Sequence, residues 1–443
     1  MTAADAIPFR QALAFWMRLG FISFGGPAGQ IAVMHQELVE RRRWISERRF
    51  LHALNYCMVL PGPEAQQLAT YIGWLMHRTW GGLIAGSLFV LPSLLILIGL
   101  SWLYVSFGTT TVVAGLFYGI KPAVTAIVLH AALRIGGRTL RHPWLWAIAA
   151  ASFVASVVGW VPFPAIIAAA ALAGLVGGRL NPDAFTAGGR HGSTDESFGP
   201  AVIDDTTPPP EHTRFRWGRL LSVLTVGGLL WLLPMGVLTL VFGAGHPLPQ
   251  MGLFFSKAAL LTFGGAYAVL PYVVEGAVQH HGWLTASQMI DGLALGETTP
   301  GPLIMVVAFV GFVGGYGKAF FGADAAALAG ALAAVVVTWF TFLPSFVFIL
   351  AGGPLVERTH GEVSFTAPLT AITAAVVGVI LNLALFFAGH VLWPRGFGGG
   401  IDAVAALITV AASVALIRFR VGVVPVLALC AMVGLALRLL PGS

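Results

Sequence analysis

Two proline-glycine-proline motifs are the residues in this chain best suited to bind an anion. Pro61-Gly62-Pro63 is followed by Glu64, and Pro300-Gly301-Pro302 is preceded by Thr298 and Thr299. Proline cannot continue a helix but fits its first turn, so each motif ends one helix and begins another. A helix that begins away from water offers free N–H groups and the positive end of its dipole to an anion, and the threonine hydroxyls can add donors. The alternative is that both motifs only kink a packed helix.

A pair of adjacent glycines precedes each of these motifs. Gly25-Gly26 is followed by Pro27 and Gln30, and Gly264-Gly265 is followed by Tyr267. Adjacent glycines let a backbone approach a ligand or another backbone closely. They therefore suit either a binding site or the tight packing of two helices. Gln30 and Tyr267 are the nearby polar side chains that could reach a ligand.

Three cations lie inside apolar segments. Arg18 and Lys257 each precede a glycine pair, and Lys121 lies elsewhere. A charge in a membrane interior is costly and usually faces a cavity or a partner. We therefore expect Arg18 and Lys257 to approach the centre together and to neutralise a dianion. The alternative is that each side chain extends to the membrane surface.

Glu64 and Glu297 are the carboxylates nearest to the motifs. A buried carboxylate can carry a proton in a coupled transporter, so both are candidates for proton coupling. Glu64 has a second interpretation, as a first-turn carboxylate that faces a helix dipole. Its repeat counterpart is Leu303, so the two motifs are not chemically equivalent.

The motifs recur at one fixed spacing. Ser23-Phe24-Gly25-Gly26-Pro27 returns 239 positions later as Thr262-Phe263-Gly264-Gly265-Ala266, and the two proline-glycine-proline motifs have the same separation. A match without a net gap indicates duplication, and in an apolar chain duplication is typical of a transporter built from two related halves. A weaker echo pairs Leu91-Pro92-Ser93 with Leu343-Pro344-Ser345 at a spacing of 252.

The composition identifies an integral membrane protein. The chain of 443 residues is 57% apolar and only 9% charged, whereas soluble domains are about 25% charged. The formal charge of +6 comes from arginines in short loops, which indicate topology and contacts with anionic lipid rather than nucleic-acid binding. The sequence contains no phosphate-binding loop, metal-ligand cluster or nucleophile–base pair. We therefore expect no cofactor, no metal and no enzyme activity, with transport energy drawn from an ion gradient.

The order of apolar segments predicts an all-α polytopic membrane protein with two inverted-topology repeats. The repeats are residues 9–180 and 248–440, separated by a polar cytoplasmic linker, 181–217, which we expect to be mobile, and by an unpaired transmembrane segment, 218–247. One odd crossing between two even-numbered units turns the second unit upside down.

The positive charges favour broken, re-entrant helices at the motifs. If the motif segments enter and leave by one face, only Lys318, Arg395 and Arg438 among the loop cations lie outside, which satisfies the positive-inside rule. Non-helical backbone at membrane depth is tolerated where it lines a cavity or is buried in protein. The alternative is thirteen kinked spans, with the arginines between positions 41 and 49 as a local exception.

The motifs also resemble a known family. Phe24-Gly25-Gly26-Pro27, the sequence Pro61-Gly62-Pro63-Glu64 after an arginine-rich loop, and the return of both in a second half are similar to the long-chain chromate ion transporters. The similarity extends over about 9–180 and 248–440. Ala266 stands where the first half has Pro27, so the second glycine pair could be shaped differently.

The resemblance implies export of chromate from the cytoplasm across a bacterial inner membrane, and hence chromate resistance, with sulfate as the similar competing anion. Because members of this family are not all chromate exporters, the resemblance indicates the class of substrate, an oxyanion, better than the individual anion. The expected partners are a small inorganic oxyanion and the lipid bilayer, and a homodimer stays open. The alternatives are a transporter of sulfate or another anion on the same fold and, more distantly, a non-transporting scaffold or lipid-handling protein.

Overall fold

The computed structural model describes residues 7–185, 198–205, 207–208, 210–357 and 366–440. Within these ranges the chain forms sixteen α-helices, short π and 3₁₀ turns and one isolated β-bridge, with no strand. Six helices are long and apolar enough to cross a membrane. The expectation of an all-α polytopic membrane protein is therefore confirmed.

The helices fall into two series around one separate helix. The first series is α1 (Phe9–Ile22), α2 (Gly26–His35), α3 (Glu47–Val59), α4 (Glu64–Phe107), α5 (Thr111–Thr139), α6 (Pro143–Val158) and α7 (Phe163–Leu180). The separate helix is α8 (Trp217–Phe242). The second series is α9 (Pro247–Leu261), α10 (Ala266–Val274), α11 (Ala286–Thr298), α12 (Val306–Lys318), α13 (Ala326–Val356), α14 (Thr366–Leu392), α15 (Ala403–Ile417) and α16 (Val423–Leu439).

The two series repeat the same local structure. Helices α3 and α11 start and end at positions separated by the motif spacing, and each is capped by a side chain: Ser46 accepts from the Arg49 N–H, and Thr285 accepts from the Gln288 N–H. A π turn precedes each helix, Gln36–Arg41 in the first series and Glu275–His280 in the second. The duplication therefore extends to caps and turns.

The motif segments are broken into short helices. Each glycine pair separates two helices, α1 from α2 and α9 from α10. Likewise α3 ends at Val59 and α4 begins at Glu64, and α4 is itself interrupted by non-helical backbone at His77 and Arg78. At about 1.5 Å per residue a 13-residue helix such as α3 is about 20 Å long, which is less than the hydrocarbon core of about 30 Å. Short helices of this kind suit the re-entrant arrangement, which remains a proposal.

The outer helices of each series pack on the other series. Helices α6 and α7 lie against α14, and α15 and α16 lie against α5. Small residues allow these contacts: a side chain on Gly119 would collide with the Cys430 carbonyl, and one on Gly378 would collide with the Ala149 carbonyl. Close backbone approach at small residues is the usual way in which membrane helices associate. The largest core cluster thus draws on helices of both series.

Helix α8 stands apart at the edge of the molecule. Only 11% of its most apolar window is buried. It contacts α9 and α13, where the Trp231 indole N–H donates to Ser256 Oγ at 2.8 Å and the Trp339 indole N–H donates to the Leu230 carbonyl at 3.1 Å. Such an exposed apolar surface fits a helix that faces lipid.

The described part of the polar stretch after α7 contacts the first series of helices, and the mobility expected of this linker stays a prediction. Ile203 forms a parallel β-bridge with Ile45, the Ser46 hydroxyl donates to Asp205 Oδ1 at 2.7 Å, and Arg49 donates to the Thr207 carbonyl. These contacts fall on the arginine-rich loop between α2 and α3 and on the first turn of α3. Composition alone does not predict this backbone pairing.

The same loop holds a buried carboxylate at the π turn before α3. Glu37 accepts hydrogen bonds from Arg41 at 2.7 Å and from Arg42 at 3.2 Å. Burial acts to raise the pKa of Glu37, but the hydrogen bonds and charges of the two arginines outweigh burial and leave the pKa below its ordinary value. The arginines of the loop are therefore partly occupied in fixing its shape.

Candidate functional site

The two proline-glycine-proline motifs meet the opposite glycine-pair breaks in a reciprocal crossing. The Gly62 N–H donates to the Thr262 carbonyl at 2.7 Å, and the Gly301 N–H donates to the Ser23 carbonyl at 2.8 Å. Ser23 and Thr262 are repeat equivalents, as are Gly62 and Gly301. Each series therefore closes the helix break of the other with the same bond.

Glycine is required at both points of the crossing. Gly62 has a φ of 131° and Gly301 a φ of 102°, which side chains of L-residues rarely adopt. A Cβ on Gly62 would also collide with the Ser345 hydroxyl, and one on Gly301 would collide with the Ser93 side chain. The crossing thus has room for backbone alone. The remaining motif glycines also have positive φ: Gly25, Gly26, Gly264 and Gly265.

Ser93 and Ser345 extend the reciprocal pattern. Both side chains are buried, at 0% and 1% exposure, and neither hydroxyl has a hydrogen-bond partner within the described residues. Buried polar groups are normally paired, so an unpaired one needs an explanation. Both serines belong to the Leu-Pro-Ser echo in the sequence, which by itself indicates no role for them. That echo was the signal which could have identified them.

Glutamine side chains surround the first motif. The Gln67 amide donates to the Pro61 carbonyl at 2.8 Å, and the Gln66 amide donates to Thr70 Oγ1 at 3.0 Å. Both side chains are fully buried, and their Oε1 atoms have no partner among the described residues. An amide can present either its oxygen or its NH₂ group to a ligand. These glutamines were not anticipated from the sequence.

Several predicted residues do come together. Gln30, on α2, is 1% exposed and donates from its amide to the Gly301 carbonyl, so it joins the first glycine-pair break to the second proline-glycine-proline motif. The Tyr267 hydroxyl donates to Glu297 Oε1, which links α10 to α11. The Gln30 contact joins the two series, whereas the Tyr267 contact joins consecutive helices of the second series.

The predicted hydroxyls near the second motif are already engaged. Thr298 donates to the Ala294 carbonyl at 3.1 Å, and Thr299 donates to the Gly296 carbonyl at 3.2 Å. A hydroxyl has a single proton to donate, so neither is free to donate to a ligand in this conformation.

Glu64, the carboxylate predicted at the first motif, is the first residue of α4 and is half-buried. At this position a carboxylate faces the positive end of the helix dipole.

The predicted cations lie on exposed faces of their helices, whereas the crossing is buried. Arg18 shares the outer face of α1 with Met17 and Phe21, which are 44% and 51% exposed. Lys257 shares the outer face of α9 with Leu253 and is likewise exposed. Each cation is about ten residues into its helix, which corresponds to about 15 Å along the helix axis. A charge inside an apolar helix is too costly in lipid alone and needs water or a protein partner.

The crossing is closed to solvent in the conformation described. Ser23 and Thr262 are both 0% exposed. A surface cavity of about 500 Å³ lies instead beside the interruption in α4, lined by residues that include His77, Arg78 and His212. None of the predicted site residues lines that cavity. In the described part of the chain, no group of three or more histidine, cysteine or carboxylate side chains could hold a metal.

Comparison with known proteins places the chain among anion transporters. The model of the chromate transporter family matches residues 10–175 and 249–435. The chain is 33% identical to the chromate transport protein of Pseudomonas aeruginosa over 392 residues, which cover 85% of this chain and 81% of that protein. It is 29% identical to the chromate transport protein of Cupriavidus metallidurans over 422 residues, which cover 92% and 88%.

A shorter relative matches only part of the chain. The uncharacterized transporter YwrB of Bacillus subtilis is 27% identical over 152 residues, which cover 34% of this chain and 77% of that protein. No solved structure matches the chain significantly.

Proposed function

The chain belongs to the chromate transporter family, and from that premise we propose that it exports chromate across the bacterial inner membrane by secondary active transport. The observation that supports this most is the reciprocal crossing with its unpaired buried hydroxyls. A closed centre with unused donors, built twice, is what an occluded anion site needs.

We propose that the donors around the crossing form the oxyanion site. Ser93 and Ser345 each have a hydroxyl proton available. The NH₂ groups of Gln66 and Gln67 each donate one hydrogen bond within the protein and have a second proton to offer a ligand. Helix α4 begins beside them at Glu64, so its first N–H groups and dipole add positive potential. A tetrahedral dianion has four oxygens that can accept several such bonds at once.

Opening the site requires the crossing bonds to break. We propose that the two repeats are inverted and that they move against each other, which exposes the centre to one side of the membrane at a time. Arg18 and Lys257 then border the aqueous path from opposite sides and attract the dianion. Their exposure within apolar helices supports this role over a position in lipid.

Glu64 and Glu297 are the carboxylates in or beside the motifs through which we propose that the coupling proton moves. Glu297 is 8% exposed and accepts a hydrogen bond from Tyr267, which is a route for proton exchange along side chains. A proton gradient as the energy source is part of the proposal.

The test is chromate uptake into everted membrane vesicles that carry an imposed proton gradient. We expect accumulation that an uncoupler abolishes and that excess sulfate reduces, because sulfate is also a tetrahedral dianion. Vesicles from cells without the protein are the control. Accumulation no greater than in that control would remove chromate as the substrate and would place sulfate or another anion first.

A further inference from the structure

A buried carboxylate with a lysine partner lies apart from the residues of the crossing. Asp291, on α11, is 2% exposed. Its Oδ2 atom lies 3.4 Å from Lys121 Nζ and accepts a hydrogen bond from the Tyr104 hydroxyl at 2.9 Å. Lys121 also donates to Ser287 Oγ at 2.6 Å. The titratable side chains that contact Asp291 are thus Lys121, from α5, and Tyr104, from α4.

One oxygen of Asp291 is left without a partner. Asp291 Oδ1 is buried, and no hydrogen bond reaches it from any described residue. A carboxylate has room for about four accepted bonds, and a buried charge is stable only when it is well paired. This geometry leaves one oxygen free to take a proton, which would neutralise the carboxylate.

The cluster joins the two repeats. Tyr104 and Lys121 belong to the first series of helices, whereas Ser287 and Asp291 belong to the second. The position equivalent to Asp291 in the first series is His52, so the cluster has no matching copy. A link that exists once, between two bodies that move relative to each other, can control that movement.

We propose that Asp291 is the group that binds the coupling proton, with Lys121 as its charge partner. This inference rests on the proposed function. In the conformation described, the carboxylate is paired with the Lys121 ammonium and holds α11 against α5. A proton taken from water at Oδ1 makes the carboxylic acid, so the attraction to Lys121 is lost and the two repeats are free to rearrange. Loss of the proton on the other side of the membrane restores the pair.

The experiment compares two transport modes of purified protein in proteoliposomes. One is chromate accumulation driven by a proton gradient, and the other is exchange of labelled for unlabelled chromate at equal pH. Exchange needs substrate binding and movement of the repeats but no net proton transfer. For Asp291→Asn we expect accumulation to fall to background, while exchange stays within about twofold of the unaltered protein.

Asp402→Asn is the matched control. Like Asp291, Asp402 accepts a hydrogen bond from a tyrosine of the first series, here Tyr118 of α5 at 3.0 Å. Unlike Asp291, it caps the start of a helix, α15. We expect this variant to keep both transport modes. Gradient-driven accumulation by Asp291→Asn at the level of the unaltered protein would overturn the proposal.

A double variant covers the case in which Asp291→Asn loses both modes. Asp291→Asn with Lys121→Met removes both charges, so no ion is left buried alone. Exchange without accumulation in the double variant would support the proposal. Recovery of both modes, or of neither, would overturn it and leave the pair a structural contact.

The unaltered protein separates this inference from the proposed function. If it exchanges chromate without responding to the gradient, proton coupling fails and the Asp291 assignment falls with it. If it neither exchanges nor accumulates chromate, the substrate is wrong. The same comparison with labelled sulfate then decides the Asp291 assignment.

Discussion

Ser93 and Ser345 are the residues that would report most directly on anion binding. We expect Ser93→Ala and Ser345→Ala each to weaken chromate binding about tenfold or more, since a hydrogen bond to a charged group contributes roughly 1.5–3 kcal/mol. Neither change should lower stability, because neither hydroxyl has a partner among the described residues. The measurement is the dissociation constant of chromate in detergent.

Ser101→Ala is the control for this pair. Ser101 lies on α4 like Ser93, is also 0% exposed and has an unpaired hydroxyl, but it has no part in the crossing. Its replacement should leave chromate binding unchanged. Equal effects of all three variants would show that the loss comes from packing and would remove the two serines from the site.

Arg18 and Lys257 test the proposed aqueous path. Arg18→Gln and Lys257→Gln should abolish chromate accumulation in vesicles while normal amounts of protein remain in the membrane, because the dianion then meets no positive charge on its way. Arg10→Gln, on the same helix as Arg18 but within its first turn, is expected to remain active. Full transport by both altered proteins would end the role assigned to these cations.

At the scale of elements, the crossing of the motifs predicts an unusual sensitivity to one methyl group. Gly62→Ala and Gly301→Ala should each destabilise the protein by about 1–3 kcal/mol through strain and overpacking. Gly243→Ala is the matched control: Gly243 also has a positive φ, of 87°, but no heavy atom lies within 4 Å of the added Cβ. Thermal unfolding in detergent measures the difference.

If all three glycine variants lose the same stability, strain at positive φ explains the result and the close contact does not matter. A larger loss at Gly62 and Gly301 than at Gly243 identifies crowding against the serines. The comparison works because the control shares the backbone conformation but has open space around it.

The helix breaks could be read from the sequence because proline and glycine act locally. Pro61 disfavours helical backbone at Leu60, which is extended, so the end of α3 at Val59 follows from local preference. Pro63 then suits the position before the start of α4 at Glu64. What Gly62 touches could not be read in this way, since the Thr262 carbonyl belongs to a distant part of the chain. The pairing of Lys121 with Asp291 was hidden for the same reason.

The exposure of the two cations was equally beyond the sequence. Matched positions showed that Arg18 and Lys257 are equivalent, but not which face of each helix would be buried. That face depends on how α1 packs against α4 and α9 against α13. Tertiary packing decides it, and spacing along the chain does not.

At the scale of the whole molecule, the inverted arrangement makes a prediction about sidedness. Glu40 and Gln279 are exposed repeat equivalents, one on the π turn of each series. With re-entrant motif segments and inverted repeats, Gln279→Cys should react with a membrane-impermeant maleimide added outside intact cells. Glu40→Cys should react only after permeabilisation, since its loop carries the cytoplasmic arginines.

The native cysteines, Cys57 and Cys430, are both buried and should contribute little background. Thirteen full spans would reverse the labelling pattern, and labelling of both positions from one side would mean that the repeats are parallel. The pair of variants thus distinguishes between the three arrangements.

The packing of the outer helices of each series against the other series has a consequence for how the protein is synthesised. Helices α6 and α7 pack on α14 but precede it in the chain. They therefore leave the ribosome before α14 has been made. During that interval their contact faces meet only lipid or the insertion machinery. We expect the first series to remain loosely assembled, and open to membrane proteases, until translation reaches α14. A ribosome stalled before that point would therefore leave a product that is inserted but short-lived.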